Sequence, residues 1–498
     1  MVEANTLTNS VCDVVLMYPR TGVNFASAIA PPHSLLSIAA PLVRDGYKVK
    51  IIDQRVDDNW RQQLEHCLES QPICVGISAM TGTQILHAIE IAEFVRQRSD
   101  GAVPIVWGGV HPTILPEQTI ASELVDIVVI GEGEETFLEL VSCLENKGTL
   151  SHIPGIAYRL HGQRTIVTEP RSLADIDSLL PVPWHLVDVE KYIHPEMFLG
   201  HSPRTLDIGQ TSRGCPFNCQ FCSSASIRQR KWRPMSVERS LEAILEPIKR
   251  FNLTGIRIRD DEFYIDRNRV NAICEGIMNS GLHIRWYTSG TRIDVFNKAS
   301  DEEVSLLRKS GACGLKFGAE SGSERILKLM HKGITPEDTK QVNIRCRSHG
   351  IIPVFAFMVG WPSETWGEIR QTLDLVKTLR HDNPRAFFDA LSPATAFPGT
   401  PLWEEALTLG LCPPKTLDGW GTWVFGHYDQ DGRRLPWLSA EDRRRLYNLC
   451  QMYFKAYTFV HTLDNIRGRY LRAMVKTLYA PLAASYRWRL ERSIRGMI

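Results

Sequence analysis

Thr211-Ser-Arg-Gly-Cys215-Pro-Phe-Asn-Cys219-Gln-Phe-Cys222 places three thiols in a C-x3-C-x2-C spacing. Iron–sulfur clusters are held by cysteine thiolates, usually four of them. Three local thiols can ligate three irons of a [4Fe–4S] cluster and leave the fourth open to a ligand. Buried free thiols and a zinc site are the plainer alternatives. Zinc sites more often pair two C-x2-C or Cys/His clusters, and this segment has no such partner nearby.

From Arg204 to about Trp403 the chain alternates strand and helix patterns at intervals suited to a (β/α)6 arc. The expected strands are Leu206–Thr211, Gly255–Arg259, Ile284–Ser289, Gly314–Ala319, Ile352–Val359 and Phe387–Pro393. Active sites of such barrels gather at the carboxyl ends of the strands. The residues there are Asp260-Asp261-Glu262-Phe263, Ser289, Glu320-Ser321-Gly322-Ser323, Val359-Gly360-Trp361-Pro362-Ser363-Glu364-Thr365 and Phe397-Pro398-Gly399-Thr400-Pro401. Each polar group has a dull reading as a helix N-cap, which Asp and Ser favour, and Asp260 and Ser363 are candidates for that role.

The thiol spacing and the order of these segments resemble the radical S-adenosylmethionine (SAM) enzymes. The resemblance implies that Cys215, Cys219 and Cys222 are the catalytic metal ligands of a [4Fe–4S] cluster. Its open iron would chelate the amino and carboxylate groups of SAM. Reduction by an external flavodoxin or ferredoxin would then release a 5′-deoxyadenosyl radical. Phe221 matches an aromatic residue common in the superfamily and would keep water off the cluster. By the same resemblance Asp260, Asp261 and Glu262 stand where a Gly-Gly-Glu-like motif accepts the SAM amino group. Ser289, Glu320 and Ser321 would contact the ribose and the methionine carboxylate, with Gly360 also on the cofactor.

Residues 12 to 140 show the alternation of a doubly wound parallel sheet, with strands expected at Asp13–Tyr18, Lys48–Asp53, Ile73–Ser78, Pro104–Trp107 and Ile127–Ile130. Ligands of such sheets bind beyond the carboxyl ends of the strands. Those ends read Pro19-Arg20-Thr21-Gly22, Ser78-Ala79-Met80-Thr81-Gly82, Gly108-Gly109-Val110-His111-Pro112-Thr113 and Gly131-Glu132-Gly133-Glu134-Glu135. Small residues there let a large ligand approach the backbone. No Gly-x-Gly-x-x-Gly follows the first strand, which argues against a dinucleotide. The set resembles the cobalamin-binding domain that precedes many radical SAM domains, a generic flavodoxin-like domain being the alternative. It implies that Ser78, Thr81, Gly108 and Gly109 line the channel for the nucleotide tail. Gly131, Glu132 and Gly133 would flank the corrin or tail, with His111 among the cofactor-binding residues. Many such domains carry Asp-x-His-x-x-Gly after the first strand. Here only His33 is available, preceded by Pro31-Pro32, so the cobalt is expected to have no histidine ligand and His33 to sit in the first turn of a helix.

These readings divide the chain into a Rossmann-like α/β cobalamin-binding domain (1–150), a linker (151–204), a partial (β/α)6 TIM-barrel radical SAM domain (205–403) and a mostly helical C-terminal substrate or specificity domain (404–498). From Asn465 onward, eight Arg or Lys stand against one acid, Glu491. That charge, interleaved with Leu, Tyr and Trp, suits peripheral contact with anionic lipid or a cover over an acidic substrate, and equally a solvated face or an oligomer contact.

The formal charge of +1 gives no bulk attraction to nucleic acid. Twelve scattered cysteines and an N-terminus without a signal peptide point to a reducing cytoplasm. No apolar run reaches the roughly 18–20 residues needed to span a bilayer. The resemblance implies a cobalamin-dependent radical SAM C-methyltransferase acting on an unactivated carbon of a small or lipid-like molecule, through the 5′-deoxyadenosyl radical and methylcobalamin. A cyclase, ring contractase or hydroxylating enzyme with the same cofactors is the second reading, and a non-catalytic cobalamin sensor the third.

Overall fold

The computed structural model describes residues 12–21, 29–160, 164–195, 202–424 and 428–464. The basic segment from Asn465, and with it the lipid reading, lies outside the described residues. No described helix is long and apolar enough to cross a membrane.

The chain divides into two compact units, one of residues 1–192 with 414–424, the other of 193–413 with 425–498. In the first unit, strands β1 (Val14–Tyr18), β2 (Val49–Asp53), β3 (Cys74–Ser78), β4 (Ile105–Gly108) and β5 (Ile127–Val129) lie parallel in the order β2-β1-β3-β4-β5. Their fully buried runs, Val14-Val-Leu-Met17 among them, are those of a sheet covered on both faces. This is the flavodoxin-like order, whose reversal point lies between β1 and β3. Helix α1 (His33–Arg44) begins at His33, directly after Pro32, as the prolines require. The His33 ring stands edge-on to Trp184 at 5.9 Å.

The boundary expected at residue 150 moves outward for two reasons. Strands β6 (Ile156–Leu160) and β7 (Arg164–Val167) form an antiparallel hairpin that pairs with β5 and continues the sheet. The segment behind them is then tied to β2, where Tyr192 Oη donates to Asp53 Oδ2 at 2.9 Å and Lys191 Nζ to Asp57 at 2.7 Å.

In the second unit, β8 (Thr205–Gly209), β9 (Gly255–Ile258), β10 (Arg285–Thr291), β11 (Ala312–Glu320), β12 (Ile352–Val359) and β13 (Phe387–Pro393) form one all-parallel sheet in chain order. This is the expected (β/α)6 arc. Helices Asp301–Lys309, Pro336–Ser348 and Trp366–Asp382 all start with reciprocal capping boxes, Ser300/Glu303, Thr335/Asp338 and Thr365/Glu368. Each box satisfies two amides that the helix itself leaves open. Thr365, not Ser363, is therefore the cap that precedes Trp366. Ser363 instead occupies the left-handed region at φ 65°.

Candidate active site

The thiol segment follows a short turn of strand at Ser212–Arg213, which pairs with Arg233–Pro234. Gly214, with φ 84°, allows the chain to enter the loop. A Cβ there would lie 2.2 Å from the Lys231 carbonyl oxygen. The loop is then pinned from several strand ends of the same unit. Gly214 N and Ser224 Oγ both donate to Asp261 Oδ2 at 3.0 Å. Gln220 N donates to the Met330 carbonyl at 3.1 Å, and Leu402 N to the Gln220 carbonyl at 2.9 Å. Gln220 Nε2 reaches His331 Nδ1 at 2.8 Å.

These contacts change the reading of the acidic motif. Asp260, buried, accepts from Thr211 N at 2.6 Å, Thr211 Oγ1 at 2.8 Å and Ser212 Oγ at 2.6 Å. Burial still raises its pKa. Asp260 and Asp261 thus brace the thiol loop, neither as helix caps nor as a free acceptor pair. The next carboxylate is Glu262. It is 1% exposed, accepts from Tyr264 N at 3.1 Å and from the Arg292 backbone, and burial still pushes it up to about 8. A buried carboxylate of this kind can accept a hydrogen bond from an incoming amino group. Gly290 permits this packing, since a Cβ there would meet the Asp260 carbonyl oxygen at 2.2 Å. Replacing Asp261 by Ala frees Gly214 N and Ser224 Oγ. We expect the reconstituted cluster to be stripped by a chelator several-fold faster while the urea midpoint hardly moves; equal stripping rates would show that the brace is idle.

Glu320 has φ 59° and binds Lys332 Nζ at 2.9 Å, both side chains being nearly inaccessible. Ser321 does not join it. Its buried Oγ accepts from Ser323 N at 3.1 Å and meets Thr372 Oγ1 at 3.3 Å, which directs it to the helix layer. Ser289 Oγ donates to the Ile258 carbonyl at 3.3 Å. Gly360, with φ 80°, donates its amide to Glu364 Oε2 at 2.5 Å, and its carbonyl accepts from Trp437 Nε1 at 2.9 Å. Its backbone is thereby committed to its own turn. That turn places Trp361 edge-on to Phe221 at 6.3 Å, so an aromatic wall stands beside the third thiol.

Sequence reasoning missed Arg292. It is 6% exposed, at the end of β10, and donates Nη1 to Cys219 Sγ at 3.1 Å. Its guanidinium lies 3.8 Å above the centre of the Phe217 ring. The signal available was Thr291-Arg-Ile-Asp294, a cation two residues before a carboxylate directly after a strand.

The thiols fit a cluster. All three are free, Cys219 is buried, and Cys215 and Cys222 are half-buried. Burial pushes the Cys215 thiol up to about 12 and raises Cys222. Bonding to iron is what would make such thiols thiolates at neutral pH. Among the described residues no three His, Cys, Asp or Glu side chains converge on one metal ion. A [4Fe–4S] cube asks for a different arrangement, one thiolate on each of three irons.

Glycines stand just beyond successive strand ends of the first unit, where ligands of such sheets bind. Gly82, Gly109 and Gly131 have φ of 113°, 104° and 83°. A Cβ at Gly109 would lie 2.7 Å from the Ala79 carbonyl oxygen, whereas one at Gly131 would enter open space. Gly108 has room for a Cβ, and Gly133 caps helix Glu134–Glu145 with Glu132 half-buried beside it. Ser78 Oγ meets Ser34 Oγ at 3.3 Å. Thr81 Oγ1 meets His111 Nδ1 at 3.0 Å, and Nε2 of the same ring is buried without a partner. Burial pulls His111 down to about 4, so the ring is neutral at ordinary pH. His111 has no exposed surface, and it orients Thr81 from behind.

The other side of His111 is closed by a residue from far along the chain. Trp420 stands edge-on to it at 5.4 Å and donates Nε1 to Gln118 Oε1 at 2.7 Å. A Cβ at Gly82 would collide with Val424, and one at Gly421 with Leu86. The segment 414–424, read from sequence as part of a substrate domain, is thus built into the first unit.

A doubly wound unit with glycines just beyond its strand ends, joined to a six-stranded arc bearing three thiols at its strand ends, defines the cobalamin-binding and radical SAM pair of domains. The B12 binding domain family matches residues 21–141, and the Radical SAM superfamily residues 210–376. An uncharacterized methyltransferase of Pyrococcus horikoshii is 33% identical over 80% of this chain and 84% of that protein. The anaerobic magnesium-protoporphyrin IX monomethyl ester cyclase of Synechocystis is 26% identical over 67% of this chain and 66% of that protein. The solved structure of the cobalamin-dependent S-adenosylmethionine radical enzyme OxsB with aqua-cobalamin covers 97% of this chain and 72% of its own, with TM-score 0.75 at 21% identity. The chain belongs to the cobalamin-dependent radical SAM enzymes, whose cofactors are a [4Fe–4S] cluster, SAM and cobalamin.

Proposed function

We propose that this enzyme transfers a methyl group from SAM to an unactivated carbon of a small molecule. The observation that carries this reading is the joining, in one chain, of an open-iron thiol loop and a cobalamin crevice, together with the 33% identical relative described as a methyltransferase. The cluster and SAM supply hydrogen abstraction, and cobalamin supplies the methyl carrier. The chain's own residues bind, orient and exclude water. Cys215, Cys219 and Cys222 hold the cluster. Glu262 would accept a hydrogen bond from the SAM amino group, with Glu320 and Ser289 on the ribose and carboxylate side. Phe217, Phe221 and Trp361 keep water from the thiols. In the other unit, Ser78, Thr81, Gly108, Gly109 and the 131–133 loop line the cobalamin crevice, and His111 positions Thr81. His33, the histidine of the loop after the first strand, heads its helix and lies edge-on to Trp184, which supports a site that would hold cobalamin without that side chain.

The test is an anaerobic reaction with cobalamin, SAM, a low-potential reductant and a metabolite pool, following S-adenosylhomocysteine and 5′-deoxyadenosine together. Substrate-dependent formation of both in comparable amounts is expected. 5′-Deoxyadenosine without matching S-adenosylhomocysteine would replace methyl transfer by the chemistry for which the Synechocystis relative is named, cyclisation.

A further inference from the structure

The guanidinium of Arg292 is fixed on three sides before it reaches the thiol loop. Its Nε donates to Asp294 Oδ1 at 2.8 Å and its Nη2 to Asp294 Oδ2 at 3.2 Å, a two-point fork. Nη2 also donates to the Lys332 carbonyl, and the plane lies against the Phe217 ring. A forked arginine has little freedom left in the direction of its remaining N–H groups. One of these, on Nη1, is delivered to Cys219 Sγ at 3.1 Å. Cys219 is the buried member of the triad, so water contributes least there and a fixed donor most. The arrangement is specific to one thiol. The other buried cation nearby, Lys332, pairs with Glu320 and reaches Cys219 and Cys222 through its charge alone.

One-electron reduction of a cluster adds one negative charge that is spread over its sulfurs. A hydrogen-bond donor and a positive charge held at a ligand sulfur stabilise the reduced form over the oxidised form. Charge and hydrogen bonds to the sulfurs are among the factors that set such potentials. We propose that Arg292 is a redox-tuning residue, which acts through Cys219 to raise the potential at which the cluster accepts its electron. Asp294 is the positioning residue that aims it. The electron comes from the external reductant, and no bond of the protein is made or broken. The proposal does not depend on whether the product is methylated.

The experiment is a potentiometric titration of full-length, anaerobically reconstituted protein without SAM, reading the reduced cluster by EPR and counting iron and sulfide. Omitting SAM separates this role from any contact with that ligand. At the wild-type midpoint, Arg292→Gln is expected to lower the ratio of reduced to oxidised cluster about tenfold, which for a one-electron couple is about 59 mV. Arg292→Lys keeps the charge without the fork and is expected to fall between the two. Asp294→Asn leaves the arginine in place, loosens its aim and is expected to shift the ratio in the same direction by less. An unchanged midpoint at full iron content in Arg292→Gln would overturn the proposal. So would loss of the cluster in Arg292→Gln and Arg292→Lys alike, with Asp294→Asn at the wild-type midpoint, since Arg292 would then only hold the loop.

Discussion

Changing Cys215, Cys219 and Cys222 together to alanine is expected to reduce bound iron and sulfide to background and to abolish SAM cleavage to 5′-deoxyadenosine, while cobalamin stays bound. The loop does not depend on these thiols for its path. Gly214, Gln220, Ser224 and Leu402 pin it by backbone and polar contacts to Asp261, Met330, His331 and Gln220. No disulfide joins any of the thiols, and the contact that the triple variant removes is the Arg292 hydrogen bond to Cys219. Burial pushes the half-buried Cys215 thiol up to about 12. Iron binding is therefore the step that removes its proton. Loss of cobalamin as well as the cluster in the triple variant would mean that the chain had misfolded.

Gly109→Val is expected to lower retained cobalamin at least tenfold after desalting, with cluster iron unchanged. Two separate costs coincide at this position. Its φ of 104° is a conformation that side-chain-bearing residues rarely adopt, and a Cβ would press on the Ala79 carbonyl 2.7 Å away. Strain of this kind is typically about 1–3 kcal/mol. The relief open to the chain is movement of the β3 and β4 ends, which form the crevice. A variant that kept cobalamin tightly would refute the crevice as the binding site, and a thermal melt of the cofactor-free protein distinguishes a moved crevice from an unfolded unit.

The sheets were legible because their strands are runs of buried apolar residues at regular intervals. Ile352–Val359 and Phe387–Pro393 coincide with the observed strands, and the other ends differ by no more than two residues. The thiol spacing pointed to its chemistry for the same reason, being a local pattern. The direction of side chains just beyond a strand was not legible, because a turn's backbone decides it. Asp260, Asp261 and Glu262 are consecutive, yet the first two face the thiol loop and the third is buried beside Arg292 and Lys332. Ser321 turns to Thr372 although its neighbour Glu320 faces Lys332. Nor could sequence place Trp420 against His111, a contact over 309 residues. Its tryptophans look like those of any core segment.

The return of residues 414–424 to the first unit has a consequence for how the protein is made. The chain leaves that unit at Tyr192 and comes back at Pro414, so 221 residues of the other unit are synthesised in between. At roughly 5–20 residues per second the nascent first unit waits about 11–44 s for its last segment. During that interval Leu86 and the outer face of His111 lack the cover that Gly421 and Trp420 later provide. The cobalamin unit is therefore completed only after the strands of the barrel have left the ribosome, and a chain truncated before Pro414 would carry an unfinished crevice.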